Sequence, residues 1–504
     1  MTDESELSFL KLFLTDQLLN SIVTETNIYG NNLHVTAQQQ AADHPSARML
    51  KWSEVDHASI WRYLALCFTM GIIRKPNLEL YWTTNPLFQT PSFGQIMSCN
   101  RFQEINTALH FNHGDPVNGD RLHKIRPFYD MITRSFTNAY LPAQSICIDE
   151  SLYLYKGRIG FRQYNPHKRA RYGFKSYELC EASSGYCWKF MLYTGEDLKL
   201  LEHDKSVSAS HAVVTHLLSG LEDLGYTLAI DNWYTSPQLL CNLSEKHTNC
   251  CGTVRQNRKG MPPPDEITKH ADGSQLKKGE KSVFSSEHVT CVCWRDRKYV
   301  TMLSNFQDGT FADHPVRLKG GVEVLKPKVV LKYNAIMGGV DFKDQMVKAY
   351  TYFRKSHKWY KRIVFTLLEV AMFNAFCLWK KSHQDAINKS FLHFRQAVIT
   401  QILAEAGPDP TGKTRVTPPL RGEPLLRLTE RHFPSLNPPT EKRPVAFKQC
   451  RVCNPPLGHA HKRGESRKRV ETKFQCEPCG NVPLCAAPCF MLYHTVRNLE
   501  NVNK

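Results

Sequence analysis

No stretch of this chain supplies the roughly 20 clean apolar residues that a membrane-spanning helix needs. The longest apolar region, Ile363 to Trp379, is broken by Thr366, Glu369 and Asn374 and reads as a buried helix. The opening MTDESELSFLKLFL puts acid first and lacks a basic region ahead of an apolar run, so it does not resemble a secretory signal. An intracellular protein without a membrane partner is expected. Acid is also scarce: 47 Asp and Glu face 65 Lys and Arg, leaving a formal net charge of +18. That balance favours a polyanionic partner, nucleic acid ahead of a ribosomal or anionic-membrane surface. No internal repeat is present.

What the chain does contain is length, apolar content and thiols. Its 504 residues, 41% of them hydrophobic, are enough for two to four domains with real cores. Seventeen cysteines without an export signal read as thiols and metal ligands rather than disulfides.

Residues 1–140 carry helical periodicity, in FLKLFLTDQLLNSIVTETN, ASIWRYLALCFTMGII and FGQIMSCNRFQEINTALHF. From Ser145 the period changes to that of strands: Ser145 to Tyr155, Lys175 to Ala182 and Cys187 to Thr194, the last two around the turn SSGY. A helix capped by Ser210 and running through HAVVTHLLSGLEDLG follows, then a strand over 226–230, the helix SPQLLCNLSEKH and the strand CCGTVR. Three antiparallel strands, a helix, a strand, a helix and a strand is the order of an RNase H-like core. The fold class is therefore α/β, with that core divided between 141–257 and 328–350. Residues 258–327, opening on MPPPDE, read as a β-rich insertion, and 351–430 as a second helical part that includes Trp359 to Trp379 and Phe391 to Glu405. A Cys-rich zinc-binding domain at 446–497 follows Pro-rich linkers.

Three aspartates stand at the ends of regular segments in distinctive strings: Asp149 in SICIDESLYLYKG, Asp231 in YTLAIDNWYTS and Asp341 in YNAIMGGVDFKDQM. Singly, each reads as a surface or capping carboxylate. Together, in this element order and in a basic chain, they suit a pair of Mg²⁺ (or Mn²⁺) ions held against a polyanion, because carboxylate oxygens are the ligands such ions take. Asp344 falls three residues after Asp341, on the same helix face.

The strings IDESLYLYKGRIGFRQYNPHKRARYGFKSYELCEASSGYCWKFMLYTGE, LAIDNWYTSPQLL and YNAIMGGVDFKDQM closely resemble the piggyBac transposase family, over about Ser8 to Leu403. The resemblance implies a DDD catalytic site with Asp149, Asp231 and Asp341 as metal ligands and Asp344 as a supporting aspartate. It also implies cut-and-paste cleavage and transfer of double-stranded DNA at transposon terminal repeats, TTAA target sites and a homodimer. Two other readings compete with an active transposase. One is a domesticated, catalytically silent DNA- or chromatin-binding protein; the other is a ubiquitin-ligase or histone-reading finger on a scaffold, against which the aspartates argue.

Two basic and aromatic stretches are candidate DNA contacts. In NPHKRARYGFK, Lys168, Arg169, Arg171 and Lys175 lie among Tyr164, Tyr172 and Phe174. In YTYFRKSHKWYKR the cations are Arg354, Lys355, Lys358, Lys361 and Arg362. The first can also be a solvated turn, but its position right after the first aspartate-bearing strand favours DNA contact; the second can equally be the wet face of a helix. Trp233 is suited to stack on a flipped base or to pack in the core.

The tail holds Cys450, Cys453, Cys476, Cys479, Cys485, Cys489 and His494. Two CxxC pairs suit tetrahedral Zn²⁺, since a two-residue spacer lets both thiolates reach one ion. Seven ligands are one short of two sites; His459 or His461 can supply the eighth, while one zinc with spare thiols is the more conservative count. The family pattern suggests an interleaved cross-brace and a role in recognising transposon ends. The basic loop HKRGESRKRVETK suits phosphate contact or nuclear import, hence an expected nuclear location.

Overall fold

The computed structural model describes residues 4–116, 119–166, 171–195, 207–317, 323–352, 358–383, 386, 388–409, 432–440, 443–453 and 470–495. They fall into two compact units, Met1–Asp409 and Pro410–Lys504.

The first unit opens with helices α1 (Glu6–Lys11), α2 (Asp16–Gln39), α3 (His57–Ile72), α4 (Pro91–Ile96), α5 (Cys99–Ala108) and α6 (Arg126–Ala139). The single amphipathic run expected at the start is two helices. The first ends at Lys11 with Leu12 as its C-cap, and Thr15 caps the second, its side chain accepting the Leu18 N–H. Asp56 and Ser98 start α3 and α5 by the same device.

The central elements are β1 (Ser145–Leu154), β2 (Gln163–Tyr164), β3 (Tyr172–Glu181), β4 (Cys187–Leu192), α7 (Ala209–Leu218), β5 (Thr227–Ile230), α8 (Pro237–Glu245) and β6 (Asn249–Thr253). Strand β3 pairs antiparallel with β1 on one edge and with β2 and β4 on the other, while β1, β5 and β6 run parallel. The order β4-β3-β1-β5-β6 is that of an RNase H-like core. Helix α7 is capped by Ser208 rather than Ser210, and it stops at Leu218, short of the expected GLEDLG, because Gly220 adopts φ +94°.

Helix α9 (Pro264–Ile267) and strands β7 (Lys281–Ser285), β8 (Thr290–Arg295) and β9 (Tyr299–Ser304) come next. The strands anticipated as an inserted β unit continue the same sheet: β9 pairs with β6, β8 with β9 and β7 with β8. The short pair β10 (Val316–Arg317) and β11 (Glu323–Val324) leads to α10 (Lys328–Ile336) and α11 (Gly339–Tyr350).

Helices α12 (Trp359–Ser382) and α13 (Phe391–Ala406) close the unit. Helix α12 is buried along nearly its whole length and packs with α1, α6 and α11 in one continuous core. Inside it, Arg395 makes a buried ion pair with Glu369 and lies over the rings of Phe68, Tyr350 and Phe391.

Among the described residues the second unit has only short elements: β12 (Ser435–Leu436), β13 (Lys448–Gln449), β14 (Glu471–Thr472), β15 (Phe474–Cys476), β16 (Val482–Pro483) and α14 (Cys489–Thr495).

Candidate functional site

Strands β1 and β5 run parallel with Ile148 opposite Ile230. The next residue on each strand is an aspartate, so Asp149 and Asp231 stand side by side at about the 4.8 Å spacing of neighbouring strands. The Asp149 Oδ1 accepts the Glu150 N–H at 2.7 Å, and the Asp231 Oδ1 accepts the Trp233 N–H at 2.9 Å. Asp231 is not the cap of the following helix. That task falls to Ser236, whose side chain accepts the Leu239 N–H at 3.3 Å.

Asp341 comes from α11, in whose first turn it lies exposed. Of the two glycines that end two residues before it, Gly339 has a steric purpose, while a Cβ on Gly338 would meet nothing within 4 Å. A Cβ on Gly339 would fall 2.8 Å from the Cys147 Sγ and 2.8 Å from the Glu181 carbonyl oxygen. Only glycine lets the start of α11 settle on β1, two residues before Asp149. The three carboxylates are not among the groups whose ligand atoms all lie within 4.8 Å of one another. They come from one sheet edge and one helix start, an arrangement wider than a single-ion cage.

The electrostatics of this edge are those of crowded acid. Burial pushes the Asp231 carboxyl up, and the Glu150 charge adds to it against the N–H groups of Trp233 and Tyr234. Burial and the charges of Asp231 and Asp149 push the Tyr333 phenol up to about 12, and Tyr234 rises for the same reasons. A divalent cation relieves such repulsion, and hard carboxylate oxygens are the donors Mg²⁺ and Mn²⁺ take.

Glu150, Tyr234 and Tyr333 were not marked out by the sequence. Glu150 pairs with Lys175 at 3.1 Å, and the Lys175 Nζ lies 4.5 Å from the Tyr177 ring centroid and 5.2 Å from that of Trp233. Trp233 stacks on Tyr177 with centroids 5.4 Å apart and planes at 11°. Half-buried, it packs against the core and walls this edge.

The other basic candidates divide. Lys168, Arg169, Arg354 and Lys355 lie outside the described residues. Arg171 is exposed at the start of β3. Lys358 donates to the Thr107 carbonyl at 3.0 Å and Arg362 to that of Tyr352 at 3.3 Å.

Lys361 requires a correction. Only 5% exposed, it donates to the Asn106 carbonyl from inside the helical layer and offers nothing to a phosphate. Burial, with Lys358 adding repulsion, pushes its amine down to about 7. A lysine with a depressed folded pKa costs stability in full below that value. The cost fades as pH rises towards the ordinary value of about 10.4. Lys361→Met is therefore expected to raise the melting temperature at pH 7, with the gain shrinking by pH 10, and to leave DNA affinity unchanged. A folded variant with weakened DNA binding would restore the contact reading.

Asp344 lies on α11 but is only 8% exposed. Its Oδ1 accepts from the Ser151 hydroxyl at 2.8 Å and from the Lys343 ammonium at 2.6 Å, and its Oδ2 accepts from Lys348. Burial would raise this carboxyl, but the two ammoniums overcome it and hold it down at about 2.

In the second unit eight side chains form two tetrads. Cys450, Cys453, Cys485 and Cys489 make one; His432, Cys476, Cys479 and His494 make the other, with the ligand atoms of each within 4.8 Å of one another. In chain order the tetrads alternate, His432, then the 450/453 pair, the 476/479 pair, the 485/489 pair and His494, which is an interleaved cross-brace. The eighth ligand is thus His432; His459 and His461 lie outside the described residues. The Sγ atoms of Cys453 and Cys489 are 3.3 Å apart, too far for a disulfide and close to the roughly 3.8 Å edge of a tetrahedron with 2.3 Å zinc–sulfur bonds. The His494 Nδ1 is 2.7 Å from the Phe490 carbonyl, which turns Nε2 towards Cys479 Sγ at 3.5 Å. Carbonyl-held imidazoles among thiolates are a zinc donor set.

Fold and site together define an RNase H-like protein with carboxylates set side by side on β1 and just past β5, and a thiol-rich second unit. The chain belongs to a transposase family of the piggyBac type: the family model described as Transposase IS4 matches residues 5–376. Human piggyBac transposable element-derived protein 3 is 26% identical over 96% of this chain and 75% of its own length. Human piggyBac transposable element-derived protein 2 is 26% identical over 82% of this chain and 67% of its own. Among solved structures, a piggyBac transposase synaptic complex with hairpin DNA matches with a TM-score of 0.66 and 22% identity, over 80% of this chain and 81% of that one.

Proposed function

We propose that the protein is a DDD-type DNA transposase in which Asp149, Asp231 and Asp341 hold two Mg²⁺ or Mn²⁺ ions and act on transposon ends. The observation that carries this reading is the parallel register of β1 and β5, which leaves an aspartate on each strand immediately beyond Ile148 and Ile230, with the Asp341 helix seated on the same β1. Two ions about 3.5–4 Å apart serve in-line attack on phosphorus by stabilising the attacking and leaving oxygens. Carboxylates arriving from different elements can share such a pair without converging on one point. Family membership supports double-stranded DNA as the substrate, with terminal repeats and TTAA targets, action as a homodimer and a nuclear location.

The second unit, loaded with Zn²⁺ at two sites, is assigned the recognition of terminal repeats. Arg171, exposed next to the β3 edge, is its companion on the first unit.

Plasmid excision with matching terminal repeats tests the proposal. The natural chain is expected to excise and Asp231→Asn to fail while melting no lower than the parent, because the substitution removes a carboxylate that burial disfavours. Equal excision by both would remove the proposed chemistry. Specific end binding without excision by either would favour a domesticated DNA-binding protein.

A further inference from the structure

A dense buried polar cluster in the first unit centres on Lys343, which is fully buried in α11. Its ammonium lies 2.5 Å from Glu178 Oε2 on β3 and 2.6 Å from Asp344 Oδ1 on its own helix. It also donates to the Tyr153 hydroxyl at 2.8 Å and the Ser151 hydroxyl at 3.1 Å, both on β1. The opposing groups are themselves tied together. Glu178 Oε1 accepts from Tyr153 at 2.9 Å and from Ser176 at 2.5 Å, and Ser151 donates to Asp344 at 2.8 Å.

This arrangement is costly as a way of filling a core. Removing charges from water loses several kcal/mol per ion, and apolar side chains of similar volume often stabilise as well or better. Nor is it a metal site, although Glu178, Cys180 and Cys187 lie within 4.8 Å of one another. The Lys343 cation already faces that carboxylate. What the cluster does achieve is directional: one ammonium joins α11 to β1 and β3 at fixed angles. Its anchor on the helix is two residues from Asp341. Its anchors on β1 begin at Ser151, two residues from Asp149 and on the same strand face. Apolar packing at this contact would tolerate sliding or rotation of α11; a fully satisfied ionic network does not.

We propose that Lys343 is a positioning residue that clamps α11 to β1 and so fixes Asp341 relative to Asp149, with Glu178 and Asp344 as its counter-charges. Asp344 acts here through Lys343 and Ser151, its oxygens taken up by protein donors, so that metal is left to the other three aspartates. This inference rests on the metal centre proposed above.

The test uses the full chain carrying Lys343→Met together with Glu178→Gln, a charge-neutral change that leaves Asp344 paired with Ser151 and Lys348. The first readout is amide hydrogen exchange without metal. In a variant melting like the parent, the amides of residues 342–347 are expected to exchange at least tenfold faster while those of β3 and β4 keep their rates. Unchanged exchange in α11 would overturn the clamp whatever the metal does. If the double variant melts early, Ser151→Ala takes its place, with the same expectation for residues 342–347 and the same overturning result.

The second readout is Mn²⁺ affinity by calorimetry, with Asp231→Asn as reference. The clamp predicts at least tenfold weaker binding in the network variant, and parental affinity in a variant with loosened α11 would overturn the positioning role. Mn²⁺ binding that Asp231→Asn leaves intact would instead overturn the metal centre, and the exchange result would still decide the clamp.

Discussion

Asp149→Asn is expected to abolish metal-dependent cleavage of terminal-repeat DNA, by on the order of 10³-fold or more, without loss of fold or of end binding. Asp149 follows directly on Ile148, and its carboxylate accepts the Glu150 N–H at 2.7 Å. An amide keeps the size of the side chain and can still accept that bond. What it cannot do is neutralise a divalent ion. The measurement is single-turnover cleavage of a labelled oligonucleotide, with melting temperature and gel-shift affinity measured on the same preparations. Residual cleavage within tenfold of the parent would place the catalytic metal elsewhere.

Removal of zinc is expected to unfold the second unit. Among the described residues its hydrophobic cluster contains seven buried side chains, of which Cys450, Cys476 and Cys489 belong to the tetrads, leaving Val452, Leu484, Phe490 and Tyr493. Four apolar side chains and strands of two or three residues cannot offset the chain entropy of ordering the segment. Structural zinc contributes on the order of 10 kcal/mol per site in small domains, enough to reverse that balance. The full chain is expected to release two zinc ions per molecule to a strong chelator. Rapid proteolysis of residues beyond 431 should follow, together with loss of specific end binding. Cys450→Ser and Cys476→Ser, one in each tetrad, should each reproduce the effect, because the alternating ligand order makes either site depend on the other. A stoichiometry of one zinc, or a chelated protein that still resists protease and binds ends, would contradict this account.

How far the sequence disclosed these sites depends on whether the signal was local. Asp149 and Asp231 were legible because each stands in a distinctive string on or just past a strand, Asp149 within β1 and Asp231 directly after β5, and the parallel pairing of those strands sets them side by side. The CxxC pairs were legible because the spacer is itself the chemistry. His432 was not: a lone histidine well upstream of the first cysteine has no spacing partner, and only the fold brings its Nδ1 to 3.3 Å from Cys476 Sγ. Lys361 failed for a related reason. A charged residue at a helix start reads as a solvated face, and nothing local reveals that α12 is buried nearly all round. The Lys343 cluster was equally hidden, since it joins residues from β1, β3 and α11 that are distant in the chain. The β character of residues 258–327 was legible, but β7 and the attachment to the core sheet were not, because sheet pairing is decided by partners rather than by periodicity.

Anomalous diffraction from crystals of the full chain grown in saturating Mn²⁺ tests the metal centre most directly. Two peaks about 3.5–4 Å apart, bounded by carboxylate oxygens of Asp149, Asp231 and Asp341, are the predicted result. Manganese bound elsewhere, with those three side chains bare of metal, would contradict it.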